Sequence, residues 1–411
     1  VYAALYCEGA RYVTLDNVDI ENWASVTTSA APFSGVYIRN IGSQVEFKAR
    51  QVRFFNLYNA GPQACYGFFF HTYSSTGYLV GYDSTYDVEG CRFKNIYSLA
   101  NGVGGSDDAG VARGIESRGG GNYHIKGCYF NDIHSCDVTK TPTPEDADHM
   151  SFDGTESNFT FVLAEDIIFD GIAKRGLKFQ HANPDSVCVL DGFTATSGWG
   201  SIPNRAGWSV ISAYGGHVTA RNGRVMGPGK MATFCEAGNS YFRSLVVENV
   251  TMDAGRCKVG ETYLMSPGVS VSSFGFILVI GGNHSPTATI NIKNCRAFTG
   301  GYSFMARRGL TLNVVDSYIV NDNYESTNSC ILQLSGDSAE TAPPSKISFV
   351  NSYLAAYQHM FRDVQAGSRT RLRLLGCTFK NLWAQRITSL TSTWVDPVRT
   401  ATCVTEAPHL L

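Results

Sequence analysis

YDVEGCRF at Tyr86–Phe93 and YHIKGCYF at Tyr123–Phe130 are two copies of one phrase. In each copy, alternating apolar residues lead to a turn residue, which is followed by a small or apolar residue, a variable residue and another apolar residue. The turn residue is Gly90 in the first copy and Gly127 in the second. The alternation predicts two short strands, with a bend between them where left-handed backbone is tolerated.

The same phrase returns along the whole chain at spacings of 22 to 45 residues. Asn, Asp and Gly dominate at the turn position, and these residues adopt the left-handed conformation most readily. One phrase per turn of chain predicts an all-β fold, a parallel β-helix of about twelve rungs and roughly 55–60 Å in length. The twelve turn residues are Asn17, Gln51, Gly90, Gly127, Asp166, Gly192, Asn222, Asn249, Asn294, Asp316, Asn351 and Gly376.

The composition agrees with a β-rich chain. Of the 411 residues, 42 are Gly, 12% are aromatic and only 17% are charged, with a net charge of −2. Few charges and many aromatics exclude a disordered chain. The balanced charge argues against a nucleic-acid partner bound through bulk basic charge. The sequence contains no run of about 18 apolar residues, so no membrane-spanning helix is predicted.

The twelve cysteines show neither the density of a disulfide scaffold nor a spacing typical of zinc, so no metal or other cofactor is predicted. Several follow a turn residue directly, where the repeat predicts an inward side chain. A free Cys is a small, well-buried hydrophobic residue, so we expect a core stack and synthesis in a reducing cytoplasm. The stack comprises Cys91, Cys128, Cys295 and Cys377, with Cys188 and Cys235 on other predicted strands.

The repeat predicts one β-helix over residues 1–380 and a C-terminal cap or trimer-closing segment over residues 381–411. The chain starts at Val1 without Met, and nothing before Val13 reads as a cap for the first strands. We therefore expect the sequence to be a piece of a longer protein whose N-terminal part is missing.

Twelve rungs of this form, over Val13–Phe379, resemble the pectate-lyase-like right-handed parallel β-helix superfamily. Within it, the chain is most similar to bacteriophage tailspike depolymerases, which bind and cut surface polysaccharides of a host bacterium. The resemblance implies a right-handed single-stranded coil, a homotrimer and no cofactor. It also implies a bacterial capsular or O-antigen polysaccharide as substrate. The protein would lie in the virion, attached to the phage tail through the missing N-terminal part, after synthesis in the host cytoplasm.

A second strand recurs between the phrases, for example RGIESRGG at Arg113–Gly120 and HMSFDGT at His149–Thr155. Alternation predicts one set of inward and one set of outward side chains on these strands. The inward residues are Ile115, Phe152, Phe179, Ile211 and Phe234. The outward residues form a polar ladder of Glu116, Arg118, Ser151, Asp153, Lys178, Gln180, Ser212, Tyr214 and Glu236.

Glycoside hydrolysis needs two carboxyl groups that flank the scissile bond, one protonated and one ionised. Glu116 and Asp153 fall on successive rungs and are the candidate catalytic pair, with Arg118 and Lys178 as cations that keep one of them ionised. The alternative interpretation is a solvated ladder of ion pairs. Asp148 and Glu236 are the further candidate catalytic carboxylates, should Glu116 or Asp153 not belong to the pair.

Two other functions remain open. A polysaccharide lyase abstracts the proton next to a uronate carboxylate, and Arg175, Lys178, His181 or Tyr214 can supply its base and its neutralising cation. A non-enzymatic adhesin would use the rod only to bind carbohydrate. The candidate substrate-binding residues in all cases are Arg118, Lys178, His149, His181, Tyr214, Trp199 and Trp208, and for the aromatic ones the alternative is simple packing.

Overall fold

In a computed structural model of the chain, every regular element of the described residues is a β-strand. The described residues are 2–25, 32–41, 44–60, 63–73, 83–98, 111–135, 146–155, 158–171, 173–196, 208–226, 232–238, 240–253, 275–279, 288–299, 302–307, 309–321, 330–335, 345–357, 359–363, 370–382 and 402–406. None of these segments is a helix long and apolar enough to cross a membrane.

The strands of the described residues follow one another at short intervals. They are β1 (Tyr2–Glu8), β2 (Tyr12–Asp16), β3 (Asp19–Glu21), β4 (Ala24–Ser25), β5 (Phe33–Ile41), β6 (Glu46–Arg50), β7 (Arg53–Asn59), β8 (Cys65–Tyr73), β9 (Thr85–Glu89), β10 (Arg92–Ser98), β11 (Val111–Arg118), β12 (Gly121–Lys126), β13 (Tyr129–Ser135), β14 (Asp146–Gly154), β15 (Thr160–Asp170), β16 (Arg175–His181), β17 (Val187–Ala195), β18 (Trp208–Ala213), β19 (Gly216–Met226), β20 (Ala232–Ala237), β21 (Phe242–Asp253), β22 (Ile277–Val279), β23 (Thr289–Lys293), β24 (Arg296–Thr299), β25 (Tyr302–Arg307), β26 (Thr311–Val315), β27 (Tyr318–Asn321), β28 (Cys330–Ser335), β29 (Ser345–Val350), β30 (Tyr353–Ala356), β31 (His359–Asp363), β32 (Thr370–Leu375), β33 (Thr378–Asn381) and β34 (Thr402–Glu406).

These strands form two long parallel sheets. Sheet A has twelve strands in the order β1-β5-β8-β11-β14-β16-β18-β20-β22-β25-β28-β31, so successive coils contribute one strand each. Sheet B contains the remaining strands, which lie on the two sides of the predicted bends. The fold is a right-handed parallel β-helix, and the twelve strands of sheet A confirm the predicted number of rungs.

The bends between the sheet B strands have the predicted geometry. All twelve turn residues have positive φ, from 48° at Asn351 to 70° at Gly192. At three successive bends the Asn side chains also join neighbouring rungs, because Asn249 Nδ2 donates to Asn222 Oδ1 (3.2 Å) and Asn294 Nδ2 donates to Asn249 Oδ1 (2.7 Å). Each of these Asn bends is therefore hydrogen-bonded to the next one.

The core fills the interior of the coil with stacked side chains. Phe93 and Phe130 stack with ring centroids 4.6 Å apart, and Phe54 stacks on Phe93 at 5.1 Å. The five residues predicted to face inward on sheet A all belong to this core. The six stacked cysteines are free thiols and are buried, which confirms their predicted position.

One described strand falls within the segment predicted to be a cap or trimer-closing segment. β34 pairs in parallel with β32 over five residue pairs, from Arg371↔Thr402 to Leu375↔Glu406. This part of the C-terminal segment therefore adds a strand to sheet B.

Candidate functional site

The candidate site lies on the outer face of sheet A, where side chains of adjacent strands align in three rows along the rod. According to the strand register, each rung contributes one residue to each row. The first row is Tyr66, Arg113, Asp148, Arg175, Ser209 and Thr233. The middle row is Tyr37, Phe69, Glu116, Ser151, Lys178, Ser212 and Glu236, and the third, exposed row is Glu8, Arg39, His71, Arg118, Asp153 and Gln180.

The first row arises from a local break in the alternation of the strands. Between Arg113 and Glu116, two consecutive residues, Gly114 and Ile115, both face the core. A Cβ on Gly114 would lie 2.7 Å from Phe130 Cδ1, so only glycine fits beside that ring. Strict alternation misses Arg113 as an outward residue; a glycine next to an arginine in this strand, repeated at Gly176, is the signal that could have found it.

These side chains lie on the outer face of sheet A, but most of them are buried, which contradicts the alternative interpretation of a solvated ladder. Glu116 and Ser151 are 0% exposed, and Lys178 and Glu236 are below 9%. In the exposed row, the side chains of Arg118 and Asp153 are 31% and 27% exposed. A polymer can therefore reach the site along the exposed row, whereas the other two rows form its support.

Arg113 connects all three carboxylates of the centre. Its Nη1 donates to Glu116 and lies 3.4 Å from Asp153 Oδ2. Its Nε is 3.2 Å from Asp148 Oδ2, and Arg175 Nη1 donates to the other oxygen of Asp148 at 3.0 Å. The structure therefore brings Glu116, Asp153 and Asp148 together around one guanidinium, which is only 3% exposed.

Two further cations complete this ion network. Arg118 Nε donates to Glu116 Oε1 (2.8 Å), and its Nη2 donates to Tyr66 Oη (3.0 Å). The same guanidinium lies 5.5 Å from the centroid of the Phe69 ring. Lys178 Nζ is 3.8 Å from Asp153 Oδ2. Among these side chains, four cations face three carboxyl groups, so the network has an excess of cations.

Burial gives Glu116 and Asp153 different environments. Desolvation raises the pKa of Glu116, the nearby Asp153 charge raises it further, and Arg113 and Arg118 act in the opposite direction. Asp153 is partly exposed and lies within ion-pair distance of Arg113 and Lys178. A pair of carboxyl groups in such unequal surroundings suits one proton donor and one carboxylate.

Glu236 belongs to a separate pair. Tyr214 donates to Glu236 Oε2 at 2.8 Å, and burial raises the pKa of this tyrosine. In the middle row, Glu236 is three rungs beyond Ser151. At about 4.8 Å per rung this is roughly 14 Å, so the structure does not bring Glu236 to the Arg113 centre.

The two candidate histidines do not face the exposed row. His149 is 0% exposed and stacks between Phe130 (5.7 Å) and Phe169 (5.6 Å) inside the coil. His181 is buried, with its ring nitrogens 2.8 Å from Thr160 Oγ1 and 3.1 Å from Ser186 Oγ. Burial lowers the pKa of His181. These positions do not fit direct contact with a polysaccharide, and the proposed site contains neither residue.

The side chains of two candidate aromatic residues lie outside the described part of the structure. Trp199 lies outside the described residues, and Trp208 is described only as the first backbone position of β18. Within the described residues, no group of three or more His, Cys, Asp or Glu side chains is arranged to hold a metal ion.

No protein-family model matches this chain, and no curated protein matches it. Among solved structures, the chain is similar to a mannuronic acid-specific polysaccharide family 6 lyase from human gut microbiota. The similarity covers 98% of this chain and 87% of that one, with 10% sequence identity and a TM-score of 0.41.

Proposed function

We propose that this chain is a polysaccharide-degrading enzyme that cleaves glycosidic bonds on the exposed row of sheet A. One observation carries the proposal. Glu116 and Asp153, on adjacent rungs, meet at the same atom, Arg113 Nη1, yet one is fully buried and the other is accessible. An exposed ion pair keeps most of its hydration, whereas this network desolvates several charges at once, which is often unfavourable for stability.

Hydrolysis is the reaction that this pair supports best. Asp153 faces the exposed row and acts as the carboxylate that activates water or attacks the anomeric carbon. Glu116, whose pKa is raised by burial, gives its proton to the departing glycosidic oxygen. Arg118 Nε donates to Glu116 Oε1, so a bound sugar must draw this N–H away from the carboxyl oxygen while the guanidinium stays beside the Phe69 ring.

A lyase reaction is the second candidate, and the excess of cations favours it. Arg118 would neutralise a uronate carboxylate, and Lys178, beside Asp153, would remove the neighbouring proton. Tyr214 is the remaining base candidate on this face, but its raised pKa and its hydrogen bond to Glu236 fit it less well.

The biological setting that we propose is a bacteriophage tailspike, a homotrimer on the virion that depolymerises a bacterial capsule or O-antigen. The repeat phrase and the β-helix that it builds support this assignment. Sedimentation equilibrium tests the trimer directly. A monomer at micromolar concentration would contradict the trimeric tailspike.

The experiment that tests the enzyme uses purified capsular polysaccharides, O-antigens and uronate polymers as probes. New reducing ends without ultraviolet absorbance indicate hydrolysis, whereas absorbance from an unsaturated uronate indicates a lyase. Asp153→Asn and Glu116→Gln should each lower the cleavage rate by about 10²–10⁴-fold. Glu165→Gln, an acidic residue on sheet B paired with His124, is the matched control and should keep full activity.

Three outcomes would contradict the proposal in different ways. Binding without either product would make the chain an adhesin and would remove both enzymatic functions. Full activity in Asp153→Asn and in Glu116→Gln would exclude this pair as the catalytic one. If each new reducing end is accompanied by one new double bond that absorbs ultraviolet light, the reaction is β-elimination and not hydrolysis.

A further inference from the structure

We propose that Arg39, His71 and Arg118 form a subsite that binds the acidic sugars of the polysaccharide. The inference rests on the proposed function, because it names the class of substrate that the same face accepts. It places the acidic part of the polymer on the N-terminal side of Asp153, towards β5.

The three residues lie in register on adjacent strands. Arg39 pairs with His71 across β5 and β8, and His71 pairs with Arg118 across β8 and β11. Each rung adds about 4.8 Å, so Arg39 and Arg118 are roughly 10 Å apart along the rod. Two guanidinium groups at this separation match charges on alternate residues of an extended polysaccharide.

The row is open to a ligand, unlike the rows behind it. The side chains of Arg39 and Arg118 are 33% and 31% exposed, and His71 is half-buried between them. Next to Asp153, on the opposite side from Arg118, the row continues with the neutral Gln180. Within the exposed row, the two arginines therefore lie on one side of the candidate cleavage point, whereas Lys178 of the middle row lies on the other side.

Aromatic rings of the middle row hold His71 and Arg118 in place. Tyr37 and Phe69 stack with centroids 4.8 Å apart and planes 11° from parallel. His71 stacks on Phe69 at 5.4 Å, and its Nδ1 is 3.0 Å from Tyr37 Oη. The guanidinium of Arg118 lies 5.5 Å from the centroid of the same ring. Two groups fixed by packing lose little conformational entropy when an anion binds.

Arginine suits this task because its planar guanidinium binds a carboxylate through two parallel hydrogen bonds. Arg39 is currently 3.5 Å from Glu8, an exposed partner that a ligand carboxylate can replace. Sheet B has a comparable pair, Arg50 of β6 and Glu89 of β9, at 3.4 Å. This pair is more exposed and lies away from the candidate site. This pair provides the matched control.

The test is affinity electrophoresis of the Asp153→Asn protein in gels that contain polygalacturonate, alginate or hyaluronan, or the carboxyl-reduced form of each polymer. We expect at least one acidic polymer to retard the protein and its reduced form not to do so. Adding Arg39→Gln should weaken that binding about tenfold, which corresponds to about 1.4 kcal/mol. Arg39→Lys, which keeps the charge but not the two parallel hydrogen bonds, should restore only part of it, and Arg50→Gln should leave it unchanged.

The inference is overturned if no acidic polymer binds, if a reduced polymer binds equally well, or if Arg39→Gln and Arg50→Gln behave alike. Thermal unfolding of each variant shows whether the fold is intact, and Arg39→Lys separates lost charge from lost packing. Cleavage of a neutral polymer would overturn this subsite and keep the proposed enzyme. Binding of an acidic polymer that depends on Arg39, without cleavage, would do the opposite.

Discussion

Sheets A and B both carry arginine–carboxylate pairs, but the pairs at the centre of sheet A are buried whereas those of sheet B are exposed. On sheet B, Arg221 Nη2 lies 2.8 Å from Asp191 with side chains 46% and 22% exposed. On sheet A, Arg113 and Glu116 form a pair with side chains 3% and 0% exposed. The same two chemical groups are therefore used once in water and once in the protein interior.

The difference teaches which pairs to examine for function. An exposed pair gains little, because water and salt screen the charges. A buried network carries a large desolvation cost, and apolar residues of similar volume would often be more stable. The buried cluster of Arg113, Glu116, Asp148 and Asp153 is therefore the better candidate for a functional site.

The largest expected effect is at the centre of the buried network. Arg113→Met leaves Glu116, Asp148 and Asp153 without their shared cation and should cost about 3–5 kcal/mol of stability. The measurement is the shift of the urea unfolding midpoint. A shift no greater than that of Arg221→Met would erase the distinction between the two sheets.

Glu116 should make stability depend on pH. Its pKa in the folded state is raised above the ordinary value of 4.5, so the folded chain binds a proton at Glu116 more tightly than the unfolded chain does. This contribution is fully present below the unfolded-state pKa and is lost as pH rises through the folded-state pKa, at about 1.4 kcal/mol for each pKa unit of difference. Glu116→Gln should remove it. Melting temperatures of both proteins from about pH 4 to about pH 8 measure this, and parallel curves would contradict the raised pKa.

Gln51 offers a gain of stability at a bend of sheet B. It has φ of 52° without being Gly, Asn or Asp. Left-handed backbone costs such a residue about 1–2 kcal/mol, part of which the greater freedom of unfolded glycine offsets. Gln51→Gly should therefore raise the free energy of unfolding by about 0.5–1 kcal/mol in urea denaturation. Gly90, already glycine at φ 62°, is the reference position on the next rung, and Gly90→Gln should lower stability instead.

The smallest effect should come from the exposed pair. Arg221→Met should change the free energy of unfolding by less than about 1 kcal/mol, because the pair is solvated. It should also leave cleavage of any polysaccharide substrate unchanged. Loss of activity in this variant would show that sheet B takes part in the site.

Much of the fold followed from local sequence alone. The repeat phrase determined the twelve bends, since left-handed geometry at positions such as Asn222 and Gly127 depends on the residue itself. Alternation placed Phe152 and Phe179 in the core, because neighbouring side chains of a strand point to opposite faces. The same rule put Glu116 and Asp153 on successive rungs, so the proximity of these two carboxylates follows from the repeat itself.

Only the tertiary structure decided what surrounds these two carboxylates. Within β11 and β14, two consecutive residues face inward and interrupt the alternation of the strand. This interruption turns His149 into the core and Arg113 towards the carboxylates. Burial of Glu116 depends on contacts between rungs that are far apart in the chain. A bend or an alternating strand is a property of a few adjacent residues, so the sequence alone can predict it. Desolvation is a property of the assembled face, so the burial of Glu116 can be seen only in the tertiary structure.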